Sequence, residues 1–277
     1  MTAGARGAGM LATRLAAFLR RDLREALSYK FTFISSFAGI LFSTATFYFV
    51  AKLVPPGTAS LGPFGGDYFS FAVVGVAFAS LLGMFQAGLP AVIRSAQVSG
   101  TLEAVLLTPV SVSTVLVGSS LYALLFQVVR TALHLALAVL VFGMRLGPID
   151  WPGAAAVFGL TALCFLSVGI LSASFILVYK LGNPFDWILA GVSGLLGGMV
   201  FPVKLLPPWL RWVSSLLPVT YALDGMRRSL LAAAGFAAVV PDIVALAVFN
   251  AVLLPLSLLA FRAALRKARR DGTLTHY

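Results

Sequence analysis

Charge is scarce in this sequence. Of its 277 residues only 10% are charged, while 60% are hydrophobic. A soluble domain carries about a quarter of its residues as charged groups, enough to give one core a polar shell. There is too little charge here to cover a sphere of this size. The apolar residues also run together instead of scattering at core spacing. A run of about 20 apolar residues, rising about 1.5 Å each, matches a hydrocarbon layer about 30 Å thick. Lipid is therefore the main solvent of this chain.

Other absences exclude chemistries. Cysteine occurs once, as Cys164 inside an apolar run. No intrachain disulfide can form, and a lone thiol there acts as a small buried hydrophobe. There is no G-x-x-x-x-G-K-[ST] and no Gly-Lys pair. The chain therefore lacks the loop that cradles nucleotide phosphates, and it is not expected to hydrolyse ATP. The two histidines, His134 and His276, belong to no H-E-x-x-H and to no cysteine pair, so no zinc site is expected. Only nine residues are acidic. Asp67, Asp150, Asp186 and Asp242 fall at the ends of apolar runs, and Glu103 and Asp224 fall in loops. An ion-coupled carrier usually places an acid near the membrane midplane, and an intramembrane enzyme needs a nucleophile with a base or a metal. Neither pattern is visible. No cofactor is expected in this chain.

What is present is a series of long apolar runs, at about 31–53, 68–93, 112–142, 151–179, 185–203 and 243–261. Pro55, Pro56 and Gly57 break the chain after the first, Gly147 and Pro148 after the third, and Gly182, Asn183 and Pro184 after the fourth. The first run begins only after a long charged stretch and is long enough to span. It reads as an uncleaved anchor, not a signal peptide. Ahead of it, Leu11, Leu15, Phe18, Leu19 and Leu23 recur at helical spacing, with Arg14, Arg20, Arg21, Arg24 and Glu25 mostly on the other side. That pattern predicts an amphipathic helix over 9–27 lying in the interface.

The net charge of +11 sits at the ends of the runs, where it suits anionic headgroups, not nucleic acid. With a cytoplasmic N-terminus, the inside holds Arg6, Arg14, Arg20, Arg21, Arg24, Lys30, Arg94, Lys180, Arg262, Arg266, Lys267, Arg269 and Arg270. The outside holds Lys52, Arg145, Lys204, Arg211, Arg227 and Arg228. This bias of about two to one places both termini in the cytoplasm. The segment 204–236 then faces outward. Trp209 and Trp212 suit the headgroup level, prolines punctuate the segment, and 221–234 reads as a short amphipathic helix. The segment is either a re-entrant helical hairpin or a surface loop with two interfacial tryptophans.

Two sets of residues inside the runs stand out. Gln127, Arg130 and His134 are spaced i, i+3, i+7 and share a helix face. They form a polar stripe that serves either as an interhelical clamp or as part of a pathway. Gly191, Gly194, Gly197 and Gly198 stud the fifth run, and the small-x-x-x-small spacing of Gly194 and Gly198 suits packing within the subunit or at a dimer face.

Two further stretches carry a family likeness. One is S-G-T-L-E-A-V-L-L-T-P-V-S at 99–111, between the second and third runs. The other is G-G-M-V-F-P-V-K-L-L-P-P-W-L-R-W-V-S-S-L-L-P-V-T-Y-A-L-D-G-M-R-R-S-L at 197–230. Together they resemble the type-2 ABC exporter permeases, over nearly the whole chain. The resemblance implies one all-α integral membrane domain over 1–277, with six transmembrane helices, the interfacial helix and an extracytoplasmic re-entrant hairpin. It implies a homodimer or heterodimer of permeases in the cell membrane, served by a separate ABC-type ATPase subunit. It also implies that the cytoplasmic loop 94–110 docks on that ATPase, through Gly100, Thr101, Leu102, Glu103, Leu106, Thr108 and Pro109. Thr101 suits a helix start, Pro109 a helix stop, and Glu103 a basic or polar partner surface. The expected cargo is a hydrophobic or amphipathic small molecule, with polysaccharide or lipid-linked glycan as the alternative within the family. Outside it stand a secondary transporter and a membrane scaffold without transport.

The charge bias makes a direct prediction. A cysteine introduced at Thr275 stays unlabelled by a membrane-impermeant thiol reagent in intact cells, whereas one introduced at Leu205 is labelled. Labelling at 275 reverses the orientation.

Overall fold

The computed structural model describes residues 30–55, 58–98, 112–179, 184–232 and 235–270. Among these residues every regular element is helical. Helix α1 (Lys30–Ala51) leads through a 3-10 turn (Ala59–Phe64) to α2 (Tyr68–Val98), α3 (Val112–Leu140) and α4 (Trp151–Tyr179). Then come α5 (Pro184–Leu196), a second 3-10 turn (Val203–Leu205), α6 (Pro208–Ser215), α7 (Pro218–Leu231) and α8 (Gly235–Arg270). The expected interfacial helix over 9–27 and the loop residues 99–110 lie outside the described residues.

Among the described residues three stretches, Tyr68–Ser95, Trp151–Tyr179 and Gly235–Ala268, are long and apolar enough to cross a membrane. Phe37–Ala51 and Leu125–Leu140 are shorter apolar stretches. The fifth run departs from expectation. Its helix, α5, ends at Leu196 after 13 residues, or about 20 Å, well short of a 30 Å hydrocarbon layer. The chain turns there because Gly198 takes φ of +72°, a left-handed conformation disfavoured for other residues. The remainder of the run, 197–203, is not α-helical.

Acidic residues start two of the long helices. The Asp67 carboxylate accepts the Ser70 backbone N–H at 2.9 Å at the head of α2. The Asp150 carboxylate accepts the Gly153 N–H at 3.2 Å at the head of α4. Each satisfies an orphan donor of the first turn and sits at the positive end of the helix dipole.

The core is a helix-on-helix packing with α4 at its centre. α4 packs most extensively on α8 and α2. Val73, Val74, Val157, Cys164, Leu223, Val239 and Leu246 are fully buried there. Cys164 is a free buried thiol, as its setting in the sequence implied. The Asn250 amide of α8 donates to Leu160 O of α4 at 2.9 Å and to Leu246 O of its own helix at 2.8 Å, a polar tie inside an apolar interface.

The short helices fill one end of this bundle. α6 is exposed on the side of Trp209 and Trp212. Residues 216–217 turn the chain directly into α7. α7 is among the most buried elements: Val219, Ala222, Leu223, Gly225, Met226, Leu230 and Leu231 all pack inward. It rests on α8, α4 and α2. The loop between α3 and α4 reaches across to its end, where the Gly147 N–H meets Leu230 O at 3.1 Å and the Asp150 N–H meets Ser229 O at 2.9 Å.

Candidate functional site

The segment that carries much of the family likeness, 197–230, folds back on itself, and a buried arginine closes the loop. Arg227 projects from α7 and has no exposed surface. Its Nε donates to Phe71 O at 3.1 Å, one Nη to Gly198 O at 2.8 Å, and the other to Met199 O at 2.7 Å. The guanidinium lies 3.5 Å from the centre of the Phe71 ring. Asp224, one turn earlier, stands 3.9 Å away, so carbonyls and not the carboxylate carry the contact. A guanidinium keeps its charge even when buried, so these carbonyls meet a cation. The planar fork lets one side chain bridge carbonyls from α2 and from the turn after α5.

Gly75 makes room for this arrangement. A Cβ there would stand 2.0 Å from Met199 O and 2.1 Å from the Arg227 Nη. Sequence reasoning counted Arg227 as a charge of an outer segment and passed over Gly75. Next to Arg227, Arg228 pairs with the largely buried Asp242 of α8 at 3.1 Å and donates to Ala238 O at 3.2 Å. Adjacent arginines thus tie α7 to opposite neighbours.

The four glycines singled out in the sequence divide into two pairs. Gly191 and Gly194 lie on α5, and a Cβ at either would meet nothing within 4 Å. Gly197 and Gly198 follow the helix, buried in the turn, where a Cβ would press on Val219 and on Val203 respectively. The first pair lies on an open face, and the second lets the turn form under the Arg227 contact.

Gln127, Arg130 and His134 come together with Ser43, Ser80 and Thr131 around a cavity of about 60 Å³ between α1, α2 and α3. That is far below the ~300–1,000 Å³ of a drug-sized ligand site. A larger cavity, about 390 Å³, opens between α2, α4, α5 and α7, lined by Ser80, Gly83, Gln86, Phe165, Ser193, Gly194, Met199 and Val219. Ser80 lies between the two. The expected ATPase-docking residues, Gly100 to Pro109, lie outside the described residues.

A family model described as ABC-2 type transporter matches residues 13–231. The chain belongs to that family. It is a multi-pass membrane permease subunit, and such permeases leave ATP hydrolysis to an ABC ATPase subunit with which they partner. The match takes in residues 99–111 as well as the whole fold from α1 to α7. It stops at Leu231, where α7 ends. No curated protein matches the chain.

The Arg227 contact predicts the stability of the permease. Arg227→Met leaves three carbonyls without their donor and removes the ring contact. Breaking a buried charged network costs about 3–5 kcal/mol. For a chain of this size that lowers Tm on the order of 10 °C. Gly75→Val forces Met199 and Arg227 away and lowers Tm similarly, whereas Gly83→Ala, with open space around it, leaves Tm unchanged. Thermal unfolding of the three purified variants measures this. Equal Tm values for Arg227→Met and the native permease contradict it.

Proposed function

We propose that this permease forms the translocation pathway of an ATP-driven exporter as a dimer, with six spans and both termini in the cytoplasm. The observation that carries the reading is the family match over 13–231 in a chain without a phosphate-binding loop. In this reading the 9–27 helix lies in the interface and the segment 94–110, expected as a loop but helical over 94–98 at the end of α2, docks on the ATPase. α5 with its following turn makes the fifth crossing, and α6 and α7 form the extracytoplasmic re-entrant hairpin. Two features support the hairpin. The prolines and tryptophans at its tip are exposed, while the backbone of α7 is covered by protein on several sides, the condition for irregular backbone at membrane depth.

The cavity beside α5 supports an amphipathic small-molecule cargo. Its lining is mostly apolar, with Ser80, Gln86 and Ser193 as the polar groups. α5 exposes Gly191 and Leu195, and α1 exposes Phe37, Leu41, Phe42 and Phe49. These apolar faces suit a second permease across the pathway. The stripe of Gln127, Arg130 and His134 serves as an interhelical polar element, since its cavity is too small for cargo.

Coupling is tested at Glu103. Glu103→Arg lowers export by the assembled transporter about tenfold or more, a loss of about 1.4 kcal/mol of coupling, while insertion and Tm stay native. A reversed charge on the ATPase surface restores part of the loss. Normal export by Glu103→Arg removes this residue from the coupling contact.

A further inference from the structure

We propose that the cavity between α1, α2 and α3 is a binding site for a monatomic anion, chloride in a cell, held at the middle of the membrane by Arg130. Three helix registers agree on the depth. The lining residues Gly39, Ile40 and Ser43 precede the end of α1 by roughly 8–12 residues, and Val76, Ala77 and Ser80 follow the start of α2 by roughly 8–12. Arg130 precedes the end of α3 at Leu140 by ten residues. At about 1.5 Å per residue, each lies about 12–18 Å from the same end of the bundle, half of a 30 Å hydrocarbon layer.

A cation at that depth needs a counter-charge or several fixed dipoles. Among the described residues no carboxylate lines the cavity, and none pairs with Arg130. What surrounds it is rich in donors. Gln127 and His134 are both more than nine-tenths buried, and the His134 Nε2 has no hydrogen-bond partner. The hydroxyls of Ser80 and Thr131 already donate to Val76 O at 2.9 Å and Ala77 O at 3.5 Å. The guanidinium and the Gln127 amide are left as N–H donors around one space, with the unpartnered His134 Nε2 beside them. A cavity of about 60 Å³ has room for a halide with a water or two. An anion there fixes α1 and α3 to α2 by a charge that arrives from solution.

The test is thermal unfolding of the purified full-length permease at constant ionic strength, with sodium gluconate replaced stepwise by sodium chloride. Ligand that binds only the folded state raises Tm with its concentration. The expected result is a saturable rise of several degrees, reproduced by bromide. Arg130→Gln abolishes the chloride response, His134→Ala weakens its midpoint about tenfold, and the exposed Arg145→Gln keeps the native response. If Arg130→Gln does not fold, the native titration and the His134→Ala and Arg145→Gln midpoints decide. A native Tm that is the same in gluconate and chloride overturns the proposal, because a cavity filled by water alone gives that result. So does a chloride response that fails to saturate or that persists in Arg130→Gln.

Discussion

One buried guanidinium organises an end of this bundle. Arg227 supplies its Nε and both Nη atoms to carbonyls of Phe71, Gly198 and Met199, which belong to α2 and to the turn after α5. Without a donor the turn at 197–199 would bury unpaired carbonyls, each costing about 1–3 kcal/mol. The turn in turn lets α5 stop short and the chain pass into α6 and α7. Gly75 and Gly198 follow from the same contact, one giving it space and the other the backbone geometry. The helix that bears Arg227 is buried because its partners lie on several sides. Arg228 then anchors the far side of α7 to Asp242.

The rest of the charge in the described bundle obeys the same economy. Asp67 and Asp150 begin helices, where a carboxylate meets free N–H groups and a favourable dipole. Arg262, Arg266, Lys267 and Arg270 crowd the last turns of α8, whose 36 residues span about 54 Å and exceed a bilayer core. Lys267 lies 6.0 Å from the Tyr179 ring at the neighbouring end of α4. Between the two ends, Arg130 is the one cation placed at mid-depth among the described residues. It is partly buried and lines one cavity with Gln127 and His134, and among the described residues no carboxylate pairs with it.

The long helices were legible in the sequence because lipid demands unbroken apolar length. The runs at 68–93, 112–142 and 151–179 match α2, α3 and α4, with the α4 limits identical. The acids at the run ends were legible too, and two of them are helix caps. The fifth run misled because composition alone does not show where a helix stops. Residues 197–203 stay apolar, but Gly197 and Gly198 fold into a turn. The last run reads as 243–261, whereas α8 begins at Gly235, since Asp242 reads as a run end but lies within the helix. Arg227 was out of reach for a different reason. Its partners are backbone carbonyls 28, 29 and 156 positions away, and carbonyls carry no residue signature. The spacing of Gln127, Arg130 and His134 did identify one shared face. The helices opposite it, α1 and α2, emerge only from the packing.

Amide hydrogen exchange across 218–231 in the purified permease tests the central claim most directly. A helix held by a fully buried arginine opens only with the bundle, so its amides exchange as slowly as those of α4, over hours. Exchange of 218–231 within seconds, while α4 stays protected, would mean that α7 is a loosely held surface helix and that the Arg227 contact does not organise the fold.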